Sequence, residues 1–557
     1  MQIPKMKIQP LLFLTCFVLL VSDLFGQPLN QKRKFTRQDT LRGSIGPERA
    51  WWDVLHYDIT VEPDFTTKSI KGKTIIQYKV LAGQRTDYLQ IDLQQPLKVD
   101  SIFYNNKLYI NYPPRPYYNE GNVWHIPLPK APVNSVQSVT IVYHGNPKVA
   151  QIPPWDGGWI FTKDSVGNPW MSVACQGLGA SVWYPCKDHQ SDEPDSGAVL
   201  TINVPNELTA VGNGRLTNKN ISNGKTSYTW EVKSPINTYN IVPYIGKYVS
   251  WRDTLQGENG KLDLTYWVLE QDLEKAKKQF QQVKPMLRAF EYWFGPYPFY
   301  EDGYQLVQAP HLGMEHQSAV AYGNGFQNGY LGNDLSGTGW GTKWDYIIVH
   351  ESGHEWFANN ITTKDLADMW VHEGFTDYSE TLFIEYYYGK EAANEYVQGL
   401  RKKIVNDRPV IGSYGVNQEG SGDMYYKGAN LIHIVRQIIN DDEKFRQILR
   451  GLNKDFYHQI VTSKQVEDYI SQKSGKDLSK VFDQYLRTSQ VPVLDLKAEG
   501  DKIKFKWTNC VQGFNMPVKL SNGQWINPTT SEQKIKAGSN FEDVEVDRNF
   551  YIQVKKS

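Results

Sequence analysis

From about Arg49 to Val249 the chain alternates. Leu55, Tyr57, Ile59 and Val61 are set against His56, Asp58 and Thr60, and Thr74, Ile76, Tyr78 and Val80 repeat the pattern. A period of two between clusters of Gly, Pro and Asn predicts half-buried antiparallel strands. Near residue 270 the period changes. Glu274 to Phe294 is rich in helix formers and puts Leu287, Phe290 and Phe294 on one face, and Leu431, Ile432, Val435, Ile438 and Ile439 later recur at helical spacing. After Pro492 the alternation returns, with Ile503, Phe505 and Trp507 set among Lys502, Lys504 and Lys506. The pattern therefore predicts an all-β N-terminal domain over residues 27–250. A mainly helical domain with some strand at its start follows over 251–488, and a small β domain over 489–557. There is no internal repeat.

The first 26 residues stand outside this pattern. Lys5 and Lys7 precede an apolar run from Leu11 to Val21, and a small-residue step follows at Gly26-Gln27. That is the form of a cleavable signal peptide, with a run too short for a permanent membrane span. Export to a periplasm or the extracellular space is expected. The mature chain would keep Cys175, Cys186 and Cys510, too few for a disulfide framework; whether Cys175 and Cys186 pair stays open. Lys plus Arg and Asp plus Glu each number 60 in 557 residues, so charge gives no reason to expect nucleic acid or an anionic membrane as partner. Sequons occur at Asn220 and Asn360.

The chemistry is concentrated in the central domain. His350-Glu351-Ser352-Gly353-His354 is an HExxH, preceded by the apolar Tyr346-Ile347-Ile348-Val349. On a helix, residues four apart share a face, so both imidazoles reach one metal while Glu351 reaches water beside it. Eighteen residues separate His354 from Glu373, placed as third ligand. Two His and one carboxylate leave a fourth position open, the arrangement of catalytic rather than structural zinc. His372 points about 100° away from Glu373 on a helix and is expected to support or pack rather than ligate. Asp377, one turn beyond Glu373, is either the acceptor for the outer N–H of a ligand histidine or a solvated carboxylate.

With these motifs the chain resembles the aminopeptidase N family, the gluzincins that include leukotriene hydrolase. The stretch from His350 to Glu380 is similar to its zinc signature. Others follow in order: DVLHYD from Asp53, Tyr184-Pro185-Cys186 with Asp192-Glu193-Pro194, LGMEH from Leu312, MYYKG from Met424, and FDQYLRTSQVPVL from Phe482. Together they span roughly residues 50 to 495. The resemblance implies a sandwich-like N-terminal domain and a thermolysin-like zinc peptidase domain. It implies one Zn2+ per chain on His350, His354 and Glu373, with Glu351 as general base. By the same resemblance Glu315 binds the free α-ammonium of a peptide, with Gly313, Met314 and His316 beside it, and Gln176 is the second amine-binding position. Tyr425, two residues before Lys427-Gly428, takes the role of oxyanion donor; motif spacing alone chooses it over Tyr426.

Two departures stand out. Leu312 occupies the first position of the family's GxMEN exopeptidase motif, and His316 replaces its Asn. His316 can either hydrogen-bond the substrate backbone or titrate and make activity pH-sensitive. The expected partners are peptides with a free N-terminus, cleaved one residue at a time. Epoxide hydrolysis on the same scaffold and a catalytically silent zinc-containing binding protein are the alternatives. Oligomeric state and preferred N-terminal side chain are not legible.

Overall fold

The computed structural model describes residues 34–83, 86–109, 116–536 and 541–557; the expected signal peptide lies outside the described residues. After a short helix α1 (Arg37–Gly43), an eight-stranded sheet runs in the order Arg215–Ser222, Lys225–Val232, Ala198–Pro205, Trp52–Asp64, Ser69–Val80, Val136–Gly145, Lys98–Tyr104, Lys107–Leu108. Its long central pair is antiparallel, whereas Trp52–Asp64 and Ala198–Pro205 are parallel. Smaller sheets of four and three strands complete this N-terminal domain. Thr74, Ile76, Tyr78 and Val80 all face inward, as the alternation predicts. Leu55 does not: the register slips between Val54 and His56, so Val54 and Tyr57 are buried and Leu55 is left half-buried. A bulge adds one residue to one strand and reverses the facing of those before it.

The central domain opens with a five-stranded sheet in the order Tyr248–Gly257, Gly260–Leu269, Tyr304–Gln308, Val320–Tyr322, Gly313–Met314. Its first strand begins at Tyr248, three residues before the expected start of the domain. One face, with Val307, Ala309, Met314 and Ala321, joins the N-terminal core, and the other, with Leu306, Val320 and Tyr322, joins the helical core. Strand alternation thus puts the same sheet in two cores, and Gly313–Met314 is its edge.

The helices follow: α2 (Leu273–Gln279), α3 (Val283–Phe294), α4 (Tyr346–Gly353), α5 (Trp370–Tyr388), α6 (Lys390–Leu400), α7 (Tyr426–Ile439), α8 (Asp442–Asp455), α9 (Ser463–Ser474) and α10 (Ser479–Arg487). The expected helix from Glu274 to Phe294 is split by a tighter turn at Phe280–Gln282. Helices α5 and α7 cross at a pair of glycines, where a Cβ on Gly374 would lie 3.1 Å from the Gly428 Cα. The C-terminal sheet orders Gln533–Lys536, Lys502–Thr508, Val493–Glu499 and Gln553–Lys556. Ile503, Phe505 and Trp507 are buried and continuous with the helical core, so this domain packs on its neighbour instead of enclosing a separate core. Cys175, Cys186 and Cys510 are free thiols. Asn360 is buried and bonded to Asn453, which removes it as a glycan acceptor in the folded chain. Among the described residues no helix is long and apolar enough to cross a membrane.

Candidate metal centre

Asp345 starts α4 by accepting from the Ile347 and Ile348 amides, 3.1 and 3.3 Å away, which uses a carboxylate to satisfy the first free N–H groups of the helix. One turn on stands His350. The helix ends at Gly353, so His354 is the residue that caps it rather than one inside it. The chain then breaks, with Ala358 at φ 146°. That break has a use, because it brings the Phe357 carbonyl back to His354 Nδ1, 3.0 Å away. Thr376 Oγ1 of α5 is 3.1 Å from the same nitrogen.

Helix α5 presents Glu373 to both rings. Its Oε2 is 3.4 Å from His354 Nε2 and 3.7 Å from His350 Nε2, and one donor atom from each of the three residues lies within 4.8 Å of the others. Glu373 Oε2 is buried and has no hydrogen-bond partner among the described residues. The outer nitrogen of His350 meets Glu380 Oε1 at 2.6 Å, and Tyr396 donates to Glu380 Oε2 at 2.6 Å. Both Nδ1 atoms are therefore committed outward and both Nε2 atoms face an orphaned carboxylate oxygen. That donor set fits a divalent cation such as zinc. Electrostatics agree: against the effect of burial, Glu373 and Glu380 pull His350 well above its ordinary pKa, and the two imidazoles hold Glu373 well below the carboxylate range.

Asp377 is not the acceptor for a ligand histidine. That role falls to Glu380, seven residues after Glu373 and so two turns along the same face. Asp377 is fully buried rather than solvated, and burial beside Glu380 raises its carboxyl well above the usual range. His372 is buried, and its Nε2 accepts from the Thr363 amide at 2.8 Å, away from the cluster.

Glu351 stands beside the cluster, its carboxyl pushed up to about 7 by burial while His350 and His354 pull the other way. Gly313, on the edge strand, makes room for it: a Cβ there would lie 2.8 Å from Glu351 Oε1. Two residues on, Glu315 brings a carboxylate oxygen within 4.8 Å of donor atoms of Glu351 and His354. The N-terminal domain holds that carboxylate. Gln176 Nε2 donates to Glu315 Oε1 at 2.5 Å and the Tyr239 hydroxyl donates to it at 2.9 Å. Burial raises the Glu315 pKa. Tyr239 carries no motif of its own, and only the meeting of the two domains reveals it.

His316 departs from expectation. It is fully buried, and its Nδ1 is 2.5 Å from the Tyr244 hydroxyl, which itself donates to the Ala319 carbonyl. The imidazole must then be the donor, so it is committed to the core rather than to a substrate backbone. Burial holds its pKa well below the ordinary value, which removes it as a titrating group near neutrality. Tyr425 stacks over His350, ring centroids 6.2 Å apart, and burial with the nearby Glu373 carboxylate raises its hydroxyl pKa. The Tyr426 hydroxyl is raised by burial and then by the charges of Asp377 and Glu380.

Residues 54–240 match the Peptidase M1 N-terminal domain and residues 279–485 the Peptidase family M1 domain. The leucyl aminopeptidase of Saccharolobus solfataricus is 21% identical over 402 residues, covering 70% of this chain and 49% of the relative. The leukotriene A-4 hydrolase of Xenopus laevis is 22% identical over 453 residues, covering 76% and 68%. The M1 zinc metallopeptidase of Deinococcus radiodurans shares the fold, with a TM-score of 0.62 at 20% identity over 79% of this chain and 94% of that one. The chain spans about half the length of several curated aminopeptidases that it matches. Both larger domains are thus accounted for in their order along the sequence, and the chain belongs to peptidase family M1.

Proposed function

We propose that the protein is a zinc-dependent aminopeptidase that removes N-terminal residues from peptides. One observation carries the reading. The Glu315 carboxylate, cradled by Gln176 and Tyr239, lies within a few ångströms of Glu351 and His354. An ammonium anchor at that distance from the metal ligands favours cleavage at the first peptide bond, because an internal peptide would leave the buried carboxylate unpaired.

Zinc held by His350, His354 and Glu373 would supply Lewis acidity, polarising the scissile carbonyl and acidifying water. Glu351, poised near neutrality, takes a proton from the attacking water and hands it to the leaving amine. Tyr425, beside Glu373 and over His350, donates its hydroxyl hydrogen to the developing oxyanion. Glu315 and Gln176 hold the α-ammonium so that only the first bond is in register. The unpaired edge at Gly313–Met314 can hold the substrate backbone as an added strand.

The test is hydrolysis of Ala, Leu, Arg and Phe p-nitroanilides, with N-acetylated counterparts and with a zinc chelator. Chelator-sensitive cleavage of free-amine substrates alone is expected; equal cleavage of the acetylated set would reject the reading. The leukotriene A-4 hydrolase relative and the neutral Gln176 motivate a second assay on a lipid epoxide. We also infer export through the N-terminal segment, which predicts a mature chain beginning at Gln27.

A further inference from the structure

The segment between α6 and α7 carries an acid that the chemistry above does not use. Its backbone is clamped: the Ser421 amide donates to the Pro409 carbonyl and the Gly412 amide to Ala367, each at 3.0 Å. Arg408 donates to the Gly420 carbonyl at 2.7 Å, and a Cβ on Gly420 would fall 1.8 Å from the Val410 carbonyl oxygen. Asn417 donates to the carbonyl of Gly177 at 2.8 Å, tying the segment to the residue next to Gln176. Glu419 sits in this clamp, 9% exposed, and its buried Oε2 has no hydrogen-bond partner among the described residues. The charges it feels are those of Glu373 and Glu315 and, more weakly and with opposite sign, that of Arg408, and it in turn acts on the Tyr425 hydroxyl. It therefore lies within electrostatic reach of the metal and ammonium ends. Burial, followed by those two carboxylates, pushes it up to about 8.

Assigning the four carboxylates leaves one over. Glu373 belongs to the metal cluster, Glu351 to the water and Glu315 to the α-ammonium, where Gln176 contributes no second charge. Arg408, whose charge is the weakest of the influences on Glu419, donates to the Gly420 carbonyl, so the buried Glu419 Oε2 keeps no hydrogen-bond partner among the described residues, and a rigid, desolvated carboxyl of that kind is a group that a ligand is expected to complete. With the ammonium on Glu315 and the carbonyl at the metal, the part of the substrate still unassigned is the first side chain.

We propose that Glu419 is a specificity-determining residue that selects peptides whose N-terminal side chain is cationic, lysine or arginine. The proposal rests on the aminopeptidase reading, and its test separates the two. In steady-state assays of zinc-loaded protein, kcat/KM for Arg-p-nitroanilide should exceed that for Leu-p-nitroanilide. The Arg:Leu ratio should fall by about 10²-fold in Glu419→Gln, since removing one partner of a buried charge pair strongly disfavours the other. Titration calorimetry with free L-arginine and L-leucine supplies a second readout: tighter binding of arginine, lost in Glu419→Gln and in Glu419→Ala. Circular dichroism melts of both variants establish that they are folded. A wild-type ratio at or below one, or a ratio unchanged in the variant because both substrates suffer equally, overturns the proposal and leaves the aminopeptidase reading standing; the equal fall would give Glu419 to the α-ammonium instead. If no free-amine substrate is cleaved, the aminopeptidase reading fails, and the calorimetric comparison still decides what Glu419 binds.

Discussion

The two sides of the metal cluster are built differently. Behind it the outer nitrogens of both histidines are matched: His350 Nδ1 meets Glu380, Tyr396 donates to the same carboxylate, and His354 Nδ1 meets the Phe357 carbonyl, while the buried Asp377 carboxyl beside Glu380 has no hydrogen-bond partner among the described residues. In front, Glu373 Oε2 and Glu419 Oε2 have no partner among the described residues, and burial raises the carboxyls of Glu315 and Glu351. Interior polar groups are normally paired. The back therefore holds the two imidazoles by the fold alone, and the front is complete only when charge arrives from outside. Substitutions behind should weaken metal binding or stability, and substitutions in front should remove chemistry.

The largest effect is expected in front. Glu351→Gln should lower turnover by about 10²–10⁴-fold while zinc content, measured by elemental analysis, stays at the wild-type level. An active variant would sink the general-base role. Tyr425→Phe should lower kcat by roughly 10²–10³-fold, the worth of one oxyanion donor; a rise in KM alone would move Tyr425 from the reacting carbonyl to substrate binding. Glu380→Gln, behind, should weaken zinc affinity by about 10–100-fold in chelator competition. Should affinity hold while turnover collapses, the division between back and front is wrong.

The smallest effect lies away from the cluster, where Glu193 of the N-terminal domain accepts from Thr362 of the central domain at 2.7 Å. Burial raises this carboxyl from 4.5 to about 7. The folded chain then binds the proton more tightly than the unfolded one, so the contribution is full below pH 4.5 and is lost as pH rises through 7. Glu193→Gln cannot ionise, and its stability relative to the parent should grow between pH 5 and 8 by on the order of 1–3 kcal/mol. A pH-independent difference in melting temperature would refute it.

Much of this was legible in the residues because it is local. Period-2 alternation picks out Thr74, Ile76, Tyr78 and Val80 as inward-facing, and all four are buried. Helical spacing brings the three proposed ligands into two short segments. The errors share a cause in what one element does to the next. A bulge at Val54–His56 turned Leu55 outward. The broken turn after His354 supplied an acceptor that no pattern announces. Asp377 and Glu380 both lie within reach of a helix face, and the spacing of seven, two full turns from Glu373, was the signal that favoured Glu380.

By itself the sequence determined the order of domains, the HExxH and its distant glutamate, and the family, since each depends on residue type at fixed spacing along one element. The tertiary structure alone decided which carboxylates are left without a partner and which are spent on scaffold. Tyr239 reaches Glu315 across a domain boundary, His316 turns to Tyr244, and Glu419 is held from a segment with no periodicity. The physical reason is that a side chain's partners and its desolvation are set by whatever packs against it from elsewhere in the chain, and spacing along one element does not encode that.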